Sequence, residues 1–366
     1  MLALLMSVII IRPFVSSVAY PYADLLLNAA GIAVFIVLLI AKQPVLQRFS
    51  SVAYPAGVFI AGISLSLITS SDIAGSIIEL FKSVPCLLAF IAAAYLDGRE
   101  RKAVMFAAMC AAALVCLCAL YQRIFGFGNL ARFIADTRTT SPVALNYLTG
   151  KRVFFPFVTP NSLGGYCAMA LPLCFTEKRF YWIAVPLSAV ILLTQSLGAL
   201  FALLTAVYLC VFLMPSRKTA WQMALISGLL AVLILVFWIR ISGRSLETAA
   251  PGLARLEYWR ETLSVIREHP LLGTGIGNMR LRSSIYSHNA FLQLWAETGI
   301  LGLGGFIWLC FAVLRNAFRR FYARKDASTA LLLCSCMVFL LHNLFDFTFS
   351  LPEVSFLWWL LMGMLL

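Results

Sequence analysis

The chain has 366 residues, 62% of them apolar and only 12% charged, with a mean hydropathy of +0.94 and a formal net charge of +13. A soluble protein of this length needs a charged shell that this composition does not supply, whereas segments of about 20 apolar residues match the thickness of a bilayer core. Composition therefore predicts an all-α, polytopic protein forming one integral membrane domain over residues 1–366, with membrane lipids around it and no nucleic-acid partner.

Twelve apolar segments follow in chain order, at 2–20, 23–41, 52–70, 76–96, 103–121, 161–176, 181–196, 197–214, 220–239, 289–314, 328–346 and 352–366. Arg12-Pro13 interrupts the first. Its start lacks a basic leader and a small-residue cleavage site, so no cleavable signal peptide is expected. The ten cysteines lie almost entirely in apolar runs and form no CxxC, which reads as packing rather than disulfide or metal chemistry.

The connections separate by charge. KQPVLQR, DGRERK, EKR, SRK and RNAFRRFYARK hold fourteen lysines and arginines in one alternate set, which the positive-inside rule places in the cytoplasm. Both termini then lie inside, and two large connections, 122–160 and 240–288, lie outside. The first carries Arg123, Arg132, Arg138, Lys151 and Arg152 against Asp136 alone, and the second carries seven arginines against four glutamates. Cationic outer segments attract anions, either lipid headgroups or phosphorylated substrates.

Within the second connection, Leu253, Leu256, Trp259, Leu263 and Ile266 recur at helical spacing, with Glu257, Arg260, Glu261, Ser264 and Glu268 opposite. This predicts an amphipathic helix lying on the membrane surface, closed by Pro270. GTGIGN follows, which is G-x-G-x-G with no strand before it and so not a dinucleotide fingerprint; it reads as a turn, with phosphate contact by its backbone amides as the alternative. At the junction with the next apolar segment stands YSHNAFLQLWAETG, containing His288, one of only three histidines.

SHNAFLQLWAETGILGLGGF resembles the His-Asn, ten-residue spacer and Gly pattern of bacterial O-antigen ligases and the related O-antigen polymerases, with His288 and Gly299 at that spacing. FFPFVTPNSLGGYCAMALP, LTQSLGALFAL, ARLEYWRETLSVIREHPLLGTGIGN and HNLFDFTFSLPE agree in order, over about residues 152–353. One departure stands out. Many of these ligases have Ser-Arg-Gly where this chain has Ser196-Leu197-Gly198, and that arginine helps hold the donor pyrophosphate. Arg152, Arg280 and Arg282 are the candidates to replace it.

The resemblance implies a metal- and cofactor-independent, inverting glycosyltransferase of the inner membrane with a periplasmic site. Its donor would be a polyprenyl (undecaprenyl) diphosphate-linked glycan, and its acceptor the lipid A-core of lipopolysaccharide or another glycan. A polymerase, a protein O-glycan transferase and, in a different class, a lipid-linked-glycan flippase remain alternatives. Transporters tend to show repeats and midplane polar sites, whereas polar groups here concentrate in two connections. The residue types suit the transfer: arginine binds diphosphate oxygens bidentately, and a histidine accepts the acceptor proton near neutral pH.

His288 is the expected base, with helix capping as its structural alternative. Arg255 and Arg260 are the expected diphosphate ligands, with ion pairs to Glu257 or Glu261 as theirs. Asn289, Gln293 and Glu297 form a polar stripe, with Glu297 about 13 Å from His288 along the helix and a buried partner as its default role. His342 and Asp346 read as a local hydrogen bond one turn apart, and Glu79–Lys82 as an intrahelical ion pair.

Overall fold

The computed structural model describes residues 2–42, 49–137, 142–213, 229, 232, 246–282 and 284–366. The expected segment 220–239 lies almost wholly outside the described residues, as do the basic stretches 43–48 and 216–218 and Arg138, Arg240 and Arg244.

Among the described residues the chain is helical, with no strand. In order come α1 (Leu2–Ile11), α2 (Pro21–Lys42), α3 (Ser50–Ser66), α4 (Ile73–Ala94), α5 (Gly98–Tyr121), α6 (Phe127–Thr137) and α7 (Pro142–Thr149). They are followed by α8 (Pro160–Ala170), α9 (Tyr181–Thr194), α10 (Leu197–Leu213), α11 (Leu246–Glu268), α12 (Ala290–Arg324), α13 (Ala327–His342) and α14 (Pro352–Met364). Caps set several starts. Asp97 and Glu100 form a capping box on α5, Thr159 caps α8 ahead of Pro160, and Asp326 caps α13.

Five described helical stretches are long and apolar enough to cross a bilayer: Pro21–Lys42, Ser51–Thr69, Ile73–Ala94, Gly98–Arg132 and Ala290–Arg324. Twelve crossing segments were expected, but Leu2–Phe14, Leu197–Phe212 and Ala327–His342 are apolar helices below that length. The segment 122–160 is mostly helical rather than an open loop: a π-turn at Gln122–Gly126 joins α5 to α6, and α7 follows. The segment RNAFRRFYARK was read as a connection. It is instead the last turns of α12, because its Ala and Arg residues favour helix and nothing breaks it before the left-handed Lys325.

The two ends of the helices are chemically distinct. At one, Lys42 pairs with Glu100 at 2.6 Å, and Arg101 and Arg320 donate to the carbonyls of Met364 and Leu365. At the other, the break at Arg12-Pro13 places a buried guanidinium between α2 and α14. Arg12 binds Asp24 and the Asn28 amide oxygen and lies 3.6 Å from Glu353. Removing one partner of such a buried network leaves an uncompensated charge, which typically costs about 3–5 kcal/mol. Between the ends an aromatic cluster of Phe59, Phe306, Phe339, Phe349, Trp358 and Trp359 packs α3, α12, α13 and α14 together.

Candidate functional site

The end marked by Arg12 also gathers the stretches that are dispersed over residues 152–353. Gln122 accepts hydrogen bonds from the amides of Phe154 and Phe155, which holds the FFPF turn against the end of α5. The Ala290 amide donates to the Asn343 carbonyl at 2.9 Å, which holds the start of α12 beside the end of α13.

At that junction the SHN turn is built by its neighbours. Ser287 donates its hydroxyl to the Asn289 carbonyl, and the Ser287 amide donates to Gln293 Oε1. Asn289 Oδ1 caps α12 by accepting from the amides of Phe291 and Leu292. Between them His288 takes a left-handed backbone (φ 52°) that few non-glycine residues adopt. Its ring stacks on Tyr258 of α11 at 5.7 Å and meets the edge-on ring of Phe347 at 5.0 Å. Capping therefore falls to Asn289, and the histidine is left to face the site. Nδ1 is buried with no hydrogen-bond partner among the described residues. Burial lowers the His288 pKa below its ordinary 6.5, Asp346 opposes that shift, and Arg255 adds to it. The net effect favours the neutral ring, the form that accepts a proton.

Arg255 lies one turn before Tyr258 on the inward face of α11, and its charge acts on both His288 and His342. Among the described residues it makes no side-chain hydrogen bond or ion pair; the pairs with Glu257 or Glu261 are not formed. His342 and Asp346 stand 3.7 Å apart, too far for the expected hydrogen bond. Asp346 Oδ1 accepts instead from the Phe347 amide at 2.7 Å. The His342 ring fits against the bare backbone of Gly165, where a Cβ would come within 2.5 Å of its Cδ2 atom, and beside Gly198. Both its nitrogens are buried with no hydrogen-bond partner among the described residues.

Arg152 reaches the same corner. Its Nε donates to the Thr194 carbonyl at 3.0 Å, its Nη2 donates to Asn161 Oδ1 at 3.2 Å, and its guanidinium lies over Tyr147. It thus sits beside the turn that leads into Leu197, the position that lacks the family arginine.

The other predicted arginines go elsewhere. α11 turns Tyr258 and Thr262 inward together with Ile266 of the expected stripe, while Leu256 and Leu263 of that stripe are exposed. Arg260 accordingly points outward into a shallow groove with Glu257, Glu261 and Arg282. Arg280 donates to the carbonyls of Gly277 and Met279 and lines a separate cavity whose walls include Tyr286 but not His288. In the polar stripe, Gln293 donates to Glu297 at 3.0 Å, and both are buried, as the buried-partner reading expected. The Glu79–Lys82 pair forms at 2.6 Å.

Gly299 explains the ten-residue spacing. Its backbone (φ 65°, ψ −173°) breaks α12, which frees the carbonyls of Ala296 and Glu297. Thr274 and Gly275 of the glycine-rich loop donate to those carbonyls, and Ile300 donates to Pro270. GTGIGN is thus not a free turn. It ties the end of α11 to the break in α12 and sets where Arg255 and Tyr258 stand relative to His288. Tyr258 and Phe347 belong to this site but carry no distinguishing mark in the sequence beyond lying in stretches that resemble the family. Their role comes from long-range packing.

All-helical architecture, apolar helices of membrane-crossing length and a polar histidine–arginine site at one helix end define a membrane protein with a site at a helix-end surface. Residues 182–307 match the family model described as O-antigen ligase, and the match supports that family for the chain. It contains Leu197, Arg255, His288 and Gly299, while Arg152, His342 and Asp346 lie beyond it. The family implies glycosyltransferase-like activity of the ligase or polymerase type. No curated protein matches the chain.

Proposed function

We propose that the protein moves a glycan from a polyprenyl diphosphate carrier to an acceptor hydroxyl, with the lipid A-core as acceptor, at the periplasmic face of the inner membrane. The twelve-pass topology with both termini inside belongs to this reading. The observation that carries it is the convergence of Arg255, Arg152, His288 and the His342–Asp346 pair, from four separated stretches, at one end of the helices.

In this mechanism the acceptor oxygen attacks the anomeric carbon on the side opposite the diphosphate. The bond from that carbon to the diphosphate oxygen breaks with its electron pair, so one displacement inverts the configuration. Arg255 and Arg152 stabilise the negative charge that builds on the leaving diphosphate, a task that guanidinium forks perform without a metal. Neutral His288 takes the hydroxyl proton. Asp346 stabilises the imidazolium that results, which otherwise forms in a largely dehydrated place beside Arg255.

Reconstitution with a polyprenyl diphosphate glycan, with and without lipid A-core, tests the reading. Capping of the core, insensitive to EDTA, is expected. A ladder grown on the carrier would make the enzyme a polymerase, and unchanged covalent linkages with the glycan moved across the bilayer would make it a flippase.

A further inference from the structure

A polar cavity lies on the other side of Tyr286 from His288. Its volume is about 230 Å³, and it is walled by α3, α4, α12, the glycine-rich loop and the start of α14. Tyr286 lines it and stacks flat on Phe347 at 4.0 Å, and Phe347 in turn meets His288. The cavity and the histidine site are therefore neighbours separated by one pair of rings.

The lining has two kinds of group. Phe349 and Trp359, themselves packed at 6.1 Å, supply an aromatic surface. Gln293 and the buried carboxylate of Glu297 face them, together with Glu79, Lys82 and Arg280. This lining has two acidic and two basic side chains: Lys82 is bound to Glu79 at 2.6 Å, and Arg280 donates to the carbonyls of Gly277 and Met279. The histidine side gathers two arginines, Arg255 and Arg152, beside Asp346. An anionic diphosphate favours the histidine side, and an uncharged polyhydroxy ligand favours the cavity.

Size narrows the ligand further. Cavities that enclose drug-sized molecules run to about 300–1,000 Å³, so this one takes a single ring rather than an oligosaccharide. A pyranose presents an apolar C–H face to aromatic rings and equatorial hydroxyls to carboxylate and amide groups. Carboxylate–hydroxyl bonds are charge-assisted and strong in a site of low dielectric.

We propose that this cavity is a subsite for one uncharged sugar ring of the acceptor glycan, held beside His288 by Gln293, Glu297 and the surface of Phe349 and Trp359. Sugar binding stands on the cavity alone; only its assignment to the acceptor rests on the transferase reading. The donor's own first sugar is tied to the diphosphate and so belongs with the arginines.

The test uses the full-length protein in detergent and saturation-transfer NMR with methyl glycosides of glucose, galactose and N-acetylglucosamine. At least one glycoside should receive saturation at its C–H protons. Ser83→Leu and Ser350→Leu, which fill the cavity from two different elements, should each abolish it, while His288→Ala should retain it. Inorganic pyrophosphate should not displace the sugar. No transfer to any glycoside, an undiminished signal in both filled variants, or displacement by pyrophosphate overturns the proposal. In the transfer assay the filled variants should raise the acceptor KM on the order of tenfold and leave the donor KM unchanged. A rise in donor KM instead overturns the assignment to the acceptor. If the wild-type protein binds glycosides but transfers nothing, the transferase reading fails and the sugar site stands.

Discussion

At the scale of single residues, the site turns on how a half-buried histidine is kept neutral yet able to take a proton. Burial and Arg255 lower the pKa of His288, and Asp346 raises it. Activity that needs the neutral ring falls as pH drops through this pKa, so its acidic limb should lie below 6.5. Asp346→Asn removes the raising influence, and its acidic limb should move to still lower pH, with a lower plateau because the imidazolium loses its counter-charge. A limb that moves upward would mean that Asp346 does not act on His288. His288→Ala should remove the limb and about 10²–10⁴-fold of turnover while the protein stays monodisperse. The arginines should separate in the same assay. Arg255→Ala should reduce turnover strongly, with Arg255→Lys restoring only part because the planar fork is lost. Arg260→Ala, on the outward side of α11, should stay near wild type. Equal losses in Arg255→Ala and Arg260→Ala would place the diphosphate in the outer groove.

Among the elements, the decisive feature is the break in α12. Gly299 holds a backbone region almost confined to glycine, and a Cβ there would run into the carbonyl of Leu271. Gly299→Ala should therefore cost at least about 1–3 kcal/mol from backbone strain alone. It should also loosen the loop 270–275, whose amides bind the freed carbonyls of Ala296 and Glu297. Because that loop positions α11, thermal stability and transfer should both fall, and hydrogen exchange should rise at Thr274 and Gly275. Unchanged exchange at those amides would show that the loop is held by other contacts. The spacing between His288 and Gly299 was plain in the sequence. Its cause was not, because it joins residues about 25 positions apart through backbone bonds that leave no side-chain pattern.

For the whole molecule, the separation of the two helix ends carries the topology. The site end holds His288, Arg152 and the Arg12 network, and the other holds the Lys42–Glu100 pair and the arginine-capped end of α14. In a cysteine-depleted background, single cysteines at the exposed positions Ser264 and Leu145 should react with an impermeant thiol reagent in sealed cells. Cysteine at exposed Ala323 should not. Labelling of Ala323→Cys with protection of Ser264→Cys would turn the protein over and put the site in the cytoplasm.

Composition and apolar run length by themselves determined that this is a helical membrane protein, since both are sums over local residues. Most apolar helix starts were equally legible from run length, but the start of α5 at Gly98 was not, because DGRERK read as a connection while Asp97 and Glu100 cap the helix there. His288 and Arg255 were picked out by resemblance. What only the tertiary structure decided is which groups meet them. The inward face of α11 is set by what it packs against, so Tyr258 and Thr262 join Ile266 there while Leu256, Leu263 and Arg260 stay exposed. His342 and Asp346, read as a local pair, join the histidine site because the end of α13 is hydrogen-bonded to the start of α12. Arg280 went to the neighbouring cavity because the loop carrying it docks on the far side of Tyr286. Helical periodicity fixes angles within one element, and contacts between elements decide which of those angles faces the chemistry.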